Sequence, residues 1–369
     1  MVLHATLAAL LCLAAPEPDK PKETPVTRIQ LLPPGPGNPR NSEGDFIQLK
    51  DGRTLFLYTR FTGGGADNAA AALASRVSAD GGLTWSKDDV LVVPNEGREN
   101  VMSVSLLRLK SGPIALFYLR KNGWDDCRPY LRLSTDEART WSEPRLCIEP
   151  GGYYVVNNDR VVQLQSGRLL IPASQHNQTG GKYSAHGTMV CYLSDDDGRT
   201  WRPSATRLTG ETPKGRVMLQ EPGVVELRDG RLLMFIRTNA GCQYRSFSND
   251  GGDTWSPAEP SNLLSPLSPA SIKRIPRTGD LLAVWNNHEK IDAARRGKRT
   301  PLNTAISKDD GETWEHVKTL EDDPGGWYCY TAIEFVGDRV LLGHCAGQQK
   351  TGGLNLTQIT LFNVDWLYE

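Results

Sequence analysis

The sequence predicts an all-β chain folded as a six-bladed β-propeller, and three observations predict it. An eight-residue pattern, Ser-x-Asp-x-Gly-x-Thr-Trp, recurs at Ser78–Trp85, Ser194–Trp201, Ser248–Trp255 and Ser307–Trp314, with a fifth copy at Ser134–Trp141 that carries Ala138 in place of Gly. Ahead of each copy lies an apolar–turn–apolar hairpin: Phe46–Tyr58, Leu106–Tyr118, Val161–Ile171, Val224–Ile236 and Ile272–Val284. A sixth hairpin, Ile333–Leu342, has no box after it. Repeats of about 55 residues with about four strands each are the size of a propeller blade.

The clearest copy runs from Glu221 to Trp255. Val224–Leu227 and Leu232–Ile236 flank Asp229-Gly230, a two-residue hairpin turn signal. Tyr244–Ser248 then runs into the box. In the box, Ser and Asp side chains bond turn amides, Gly takes a positive φ, and Trp anchors one blade on the next. Boxes of this kind are structural staples, so function must be read from elsewhere.

At 369 residues and 38% hydrophobic, the chain can bury a large core, and one repeat running end to end reads as one closed domain over 26–369. The net charge of −1 lacks the basic excess of a nucleic-acid-binding surface, while leaving room for a local basic pocket. Residues 1–15 hold the apolar run Ala5–Ala15, too short to span a bilayer; it reads as a signal peptide, and a secreted or periplasmic protein with no membrane insertion is expected. Residues 16–25, rich in Pro, Lys and Glu, read as a disordered linker. Beyond Cys12, six cysteines remain without metal-site spacing, and they read as buried small hydrophobes or as disulfide partners. The histidines show no metal-binding pattern either, so no metal and no cofactor are expected. A monomer is expected.

A propeller must close its ring or leave a bare sheet edge. The last hairpin lacks a box, and Val26–Leu32 is an unassigned apolar strand, so it is expected to complete the last blade beside Leu354–Val364.

Polar residues gather at the ends of the inner strands. Glu221 stands where the inner strand of the fourth repeat begins and Arg237 where the next strand ends; antiparallel pairing brings both to one rim. Arg40, Arg60, Asp67, Asp159 and His176 occupy comparable strand-end or rim-loop positions.

The boxes and hairpins resemble those of the Asp-box (BNR-repeat) exo-sialidases, over about residues 35–369. That resemblance implies a six-bladed β-propeller with Asp-box repeats, a sialylated glycan as substrate and retaining hydrolysis of terminal sialic acid. It implies site residues too. Arg40 opens the first inner strand where the family has Arg-Ile-Pro, although Asn41-Ser42-Glu43 follow it here. Arg40, Arg237 and Arg299 correspond to the three arginines that hold the substrate carboxylate, and Arg60, which ends the strand before the acid-bearing loop, is expected to bind substrate as well. Asp67 matches the general acid/base, Glu221 the base, and Tyr330-Thr331 the family's Tyr-Ser, with Tyr328 as the competing tyrosine.

The chemistry explains the set. Sialic acid carries a carboxylate on the anomeric carbon, which Arg forks hold bidentately. A carboxylate nucleophile would meet like-charge repulsion there, and a neutral Tyr avoids it. Free Tyr has a pKa of about 10, so it needs a base beside it. Two other readings stand beside the first: a propeller glycosidase acting on another acidic sugar, or a non-catalytic glycan-binding propeller.

Overall fold

A computed structural model describes residues 25–369 apart from 179 and 214, and the side chain of 178 is also left out. The leader expected at 1–15 and nearly all of the linker at 16–25 lie outside the described residues.

Antiparallel sheets follow one another along the chain. The first holds strands Arg40–Gln48, Thr54–Phe61, Ala71–Ser78 and Val90–Val93 in sequence order. The same order recurs in Leu219–Glu226, Leu232–Thr238, Cys242–Ser248 and Glu259–Leu264, and in Ser271–Arg274, Leu281–Trp285, Leu302–Ser307 and Glu315–Glu321. Between them lies a nine-stranded sheet. It joins the meander that begins at Asn100–Arg108 to the one built on Leu169–Gln178, because Gly152–Val155 pairs with both, touching Cys127 in parallel at Tyr153.

The closing strand forms as expected. Val26–Leu32 pairs antiparallel with Thr357–Asn363, which continues into Arg339–Gln348 and Gly326–Val336. The two ends of the described chain thus share one sheet, with Val26–Leu32 as its outer edge strand.

The first strands pack on one another. Arg40–Gln48 lies against both Asn100–Arg108 and Gly326–Val336; Leu219–Glu226 lies against Leu169–Gln178 and Ser271–Arg274; Ser271–Arg274 lies against Gly326–Val336. Their backbones are knitted by buried and partly buried side chains. Asn158 Nδ2 donates to the carbonyls of Gly44 at 2.8 Å and Tyr330 at 3.0 Å, and Asp159 accepts from the Ile333 amide at 2.9 Å. Such bonds satisfy polar backbone groups that would otherwise be buried without partners.

Apolar side chains fill the spaces between sheets. Leu55, Leu57 and Leu73 of the first sheet meet Val101, Leu106 and Leu116 of the next, all buried. The boxes behave as staples: Ser78 Oγ donates to Asp80, Asp80 accepts from the Thr84 amide at 2.9 Å, and Trp85 Nε1 donates to the Gly82 carbonyl at 3.0 Å. Each box follows the third strand of its meander, at the end opposite the starts of the first strands.

Candidate active site

The starts of the first strands carry an unusual backbone. Glu43 (φ 55°), Ser103 (φ 59°), Asp159 (φ 53°), Glu221 (φ 47°) and Tyr330 (φ 55°) all take left-handed angles without being glycine. At four of them the pairing register slips: between Ser42 and Asp45, Met102 and Ser105, Gln220 and Gly223, and Cys329 and Ala332. A β-bulge leaves one residue unpaired and re-aims its side chain. Each such backbone angle costs on the order of 1–3 kcal/mol and persists only where the surroundings enforce it. In the Leu219–Glu226 strand the fit is tight: a Cβ on Gly223 would stand 2.1 Å from the Phe235 ring, so only glycine lets the bulge close over that ring.

Glu43, Ser103, Glu221 and Tyr330, the four residues at the slips, line one cavity of about 340 Å³ with Asp67, Arg237 and Arg299. Tyr330 Oη donates to Glu221 Oε1 at 3.3 Å, and Arg237 Nη1 lies 2.6 Å from the same oxygen. The Arg299 guanidinium sits 5.1 Å from the Tyr330 ring centroid and 5.2 Å from that of Trp327. Arg237 Nε is buried with no hydrogen-bond partner among the described residues, so the fork retains donor capacity for a ligand.

The electrostatics separate the acid from the phenol. Burial alone would raise Glu221, but Arg237 and Arg299 outweigh it and hold this carboxyl below its ordinary range. Burial, and then Glu221, push the Tyr330 phenol well above its own. The pair therefore rests as carboxylate and neutral phenol, with the proton on the phenol and donated along one hydrogen bond.

Behind Glu43 and Asp67, Arg40 is buried and engaged. Its Nη2 lies 2.7 Å from Glu43 Oε1 and its Nη1 2.5 Å from Asp67 Oδ1. Ser103 Oγ donates to the other Glu43 oxygen at 2.7 Å. Burial works against the Arg40 cation, but Glu43 and Asp67 more than offset it. The Asp67 loop is pinned by Asn100 Nδ2, which donates to the carbonyls of Asp67 and Ala69 at 2.9 Å each. The Asp67 side chain itself remains largely exposed, at 64%.

The comparisons agree with this architecture. The BNR repeat-like domain family matches residues 59–342. The chain belongs to that family. A sialidase of Micromonospora viridifaciens is 28% identical over 324 residues, covering 79% of this chain and 46% of the relative. Among solved structures, Trypanosoma rangeli sialidase superposes with a TM-score of 0.69 at 16% identity, covering 93% of this chain and 60% of that one. A protein of unknown function from Dyadobacter fermentans superposes with a TM-score of 0.69 at 19% identity, covering 92% of this chain and 99% of that one. The fold shared with these sialidase structures is a β-propeller. This BNR-repeat chain spans less than half the length of the curated relatives it matches.

Within this family member, the expected site residues divide. Asp67, Glu221, Arg237, Arg299 and Tyr330 meet at the cavity. Arg40 reaches it only through Glu43 and Asp67, and is not itself among the lining residues. Arg60 is not at the cavity. It shares a sheet face with Tyr58 and Arg76, and all three converge on Asp89; the period-two alternation of the strand turns it to that face. Asp159 is likewise elsewhere, bound to Lys273 at 2.8 Å. His176 does line the cavity, where burial holds it below its ordinary range. It stacks on Tyr183, centroid to centroid 5.1 Å, and Tyr183 meets Trp124 edge-on at 5.1 Å, forming an aromatic side wall. Tyr328, the competing tyrosine, is buried in the apolar core and faces His344. Ser103, Trp327, Tyr183 and Cys329 carried no sequence signal: a bulge or strand pairing brings Ser103 and Trp327 to the cavity, the loop between Leu169–Gln178 and Thr188–Ser194 brings Tyr183, and Cys329 sits behind the cavity on Arg299.

Proposed function

We propose that the chain is a retaining exo-α-sialidase, a six-bladed propeller in which the nine-stranded sheet counts as two blades. One observation carries the reading: Glu221 Oε1 stands 3.3 Å from a buried phenol and 2.6 Å from a guanidinium, inside a cavity that a second arginine also lines. A binding protein has no use for a carboxylate poised to take a phenolic proton. In the proposed reaction Arg237 and Arg299 hold the substrate carboxylate. Tyr330 oxygen bonds to the anomeric carbon as its proton passes to Glu221, while Asp67 protonates the leaving glycosidic oxygen. Asp67 then takes a proton from water, which displaces Tyr330, and Glu221 returns its proton to restore the phenol.

A second reading, a glycosidase for another acidic sugar, is favoured by one observation: Arg40 is already bound by Glu43 and Asp67, leaving two arginines at the cavity instead of three. Release of a fluorophore from an α-sialoside, with a β-glucuronide as control, decides between them. Turnover of the glucuronide alone would overturn the first reading, and turnover of neither would remove both.

A further inference from the structure

Beside the Tyr330 bulge lies a pair of thiols that the proposed reaction does not use. Cys329 stands directly opposite Cys345 in the pairing of Gly326–Val336 with Arg339–Gln348. Both are buried and both are free thiols. Directly opposed residues of an antiparallel pair have Cα atoms about 4.5–5.5 Å apart. A disulfide bridges Cα separations of about 4.4–6.8 Å, so the backbone already suits one. Arg299 Nη1 donates to Cys329 Sγ at 3.0 Å, and the same guanidinium lies 5.1 Å from the Tyr330 ring centroid. The sulfur therefore helps to aim an arginine of the cavity.

We propose that Cys329 and Cys345 form an oxidation site, at which hydrogen peroxide closes a disulfide that withdraws the sulfur from Arg299 and reversibly lowers turnover. The Cys329 thiol gives up its proton, its thiolate attacks one peroxide oxygen, the O–O bond breaks, and the other oxygen takes up that proton and leaves as water, giving a sulfenic acid. Cys345 sulfur then attacks the Cys329 sulfur, the S–S bond forms and a second water leaves. Two electrons pass from the sulfurs to the peroxide.

The environment favours attack from Cys329. Burial pushes its thiol up, but the hydrogen bond from Cys345 and the Arg299 guanidinium outweigh it and hold the thiol at about 7. Its hydrogen bond to Cys329, together with burial, pushes Cys345 well above the ordinary thiol range. Cys329 is itself buried, but Arg299, which donates to its sulfur, and its chain neighbours Trp327 and Tyr330 line the cavity, and peroxide is close to water in size. Cys127 also lines the cavity but pairs across its strand with Lys121, so it has no cysteine opposite it.

The effect on turnover rests on the function proposed above; formation of the disulfide does not. The full chain is treated with hydrogen peroxide, free thiols are alkylated, and peptides are mapped by mass spectrometry. A linked Cys329–Cys345 peptide is expected, with sialoside turnover down roughly tenfold from the loss of a charge-assisted hydrogen bond at Arg299. Dithiothreitol is expected to restore it. Cys345→Ser should keep its starting activity and give no linked peptide, and with no resolving thiol a second peroxide should carry the Cys329 sulfenic acid to the sulfinic acid, so that activity is lost without recovery; Cys345→Ala serves if a buried hydroxyl destabilises the sheet. Absence of the linked peptide overturns the proposal. So does a linked peptide with unchanged turnover, or recovery of the Cys345 variants equal to that of the native chain. Should the untreated chain fail on sialosides, the functional reading fails while the peptide map still decides the thiol site.

Discussion

Tyr330 Oη meets Glu221 Oε1 at 3.3 Å although 109 positions separate the two residues, and both sit on strand bulges at positive φ. Two separately strained turns of backbone thus aim at one hydrogen bond. Strain of this kind, about 1–3 kcal/mol at each position, is found where geometry serves a site better than it serves the fold. Tyr330→Phe keeps the ring and removes the oxygen. Turnover of a sialoside should fall by about three orders of magnitude or more, while affinity for an unreactive sialic-acid analogue should change little. Tyr328→Phe should leave turnover near the native value, because that ring is core. Steady-state kinetics on both variants test the assignment, and loss of turnover in Tyr328→Phe alone would show that the wrong tyrosine has been chosen.

The acid side of the pH profile should be set by Glu221. Its pKa is lowered by Arg237 and Arg299 against the opposing effect of burial. The carboxylate needed to accept the phenolic proton then persists below the ordinary Glu value of about 4.3. The same lowering has a sign in stability. The ion pair stabilises the fold above the unfolded value, and that contribution is lost as pH falls through the depressed folded one. Removing the nearest cation with Arg237→Gln should move the acid limb of kcat/KM upward in pH. A limb that stays in place in this variant would mean that some other group sets it.

Much of this was legible in the sequence, and the reason is periodicity. Alternating apolar residues around Asp229-Gly230 and the recurring boxes report strands and turns directly, because side chains alternate across a sheet and hairpin turns need particular residues. Glu221 and Arg237 were readable as neighbours since antiparallel strands return to the same rim. The closing strand Val26–Leu32 was readable because a sheet edge has to be covered. Arg60 was misplaced since its strand-end position says which rim it is near, whereas the face of the sheet it points from depends on register. The Arg40–Glu43 pair was hidden for the opposite reason. A bulge between Ser42 and Asp45 puts both side chains on one side, which a regular strand could not do.

That pair predicts different roles for two arginines. Arg237 lines the cavity with Nε free, whereas Arg40 is bound to Glu43 and Asp67. Arg237→Lys loses the planar fork and should raise KM roughly tenfold, with a smaller fall in kcat. Arg40→Lys should act mainly through Asp67, which it would hold less well. Its kcat should fall most on substrates with poor leaving groups, and KM should change by less than in the Arg237 variant. The two KM values on one sialoside test this. Equal increases in KM would mean that Arg40 turns from Asp67 to the substrate carboxylate when substrate binds.

The boxes should govern stability without touching catalysis. Gly82, Gly252 and Gly311 take φ of +92°, +94° and +95°, while Ala138 in the fifth box stands at 63°. The smaller angle lies within the left-handed helical region that an L residue can enter at a cost of roughly 1–2 kcal/mol, and the larger ones lie beyond it. Space divides them as well, since a Cβ on Gly252 would come 2.6 Å from Leu170 Cδ1 and 3.3 Å from Leu193 Cδ2. Gly252→Ala should therefore destabilise the chain by about 1–3 kcal/mol, combining backbone strain with displacement of a buried leucine. Ala138→Gly should change stability by less than about 1 kcal/mol, because relief of strain is offset by the greater freedom of glycine in the unfolded chain. Thermal unfolding of the two variants measures the difference. At temperatures where both are folded, kcat and KM should match the native chain, since the boxes and the cavity lie at opposite ends of the strands. A Gly252→Ala variant with native Tm would remove the steric argument, and one with native Tm but altered KM would place that box in contact with the site.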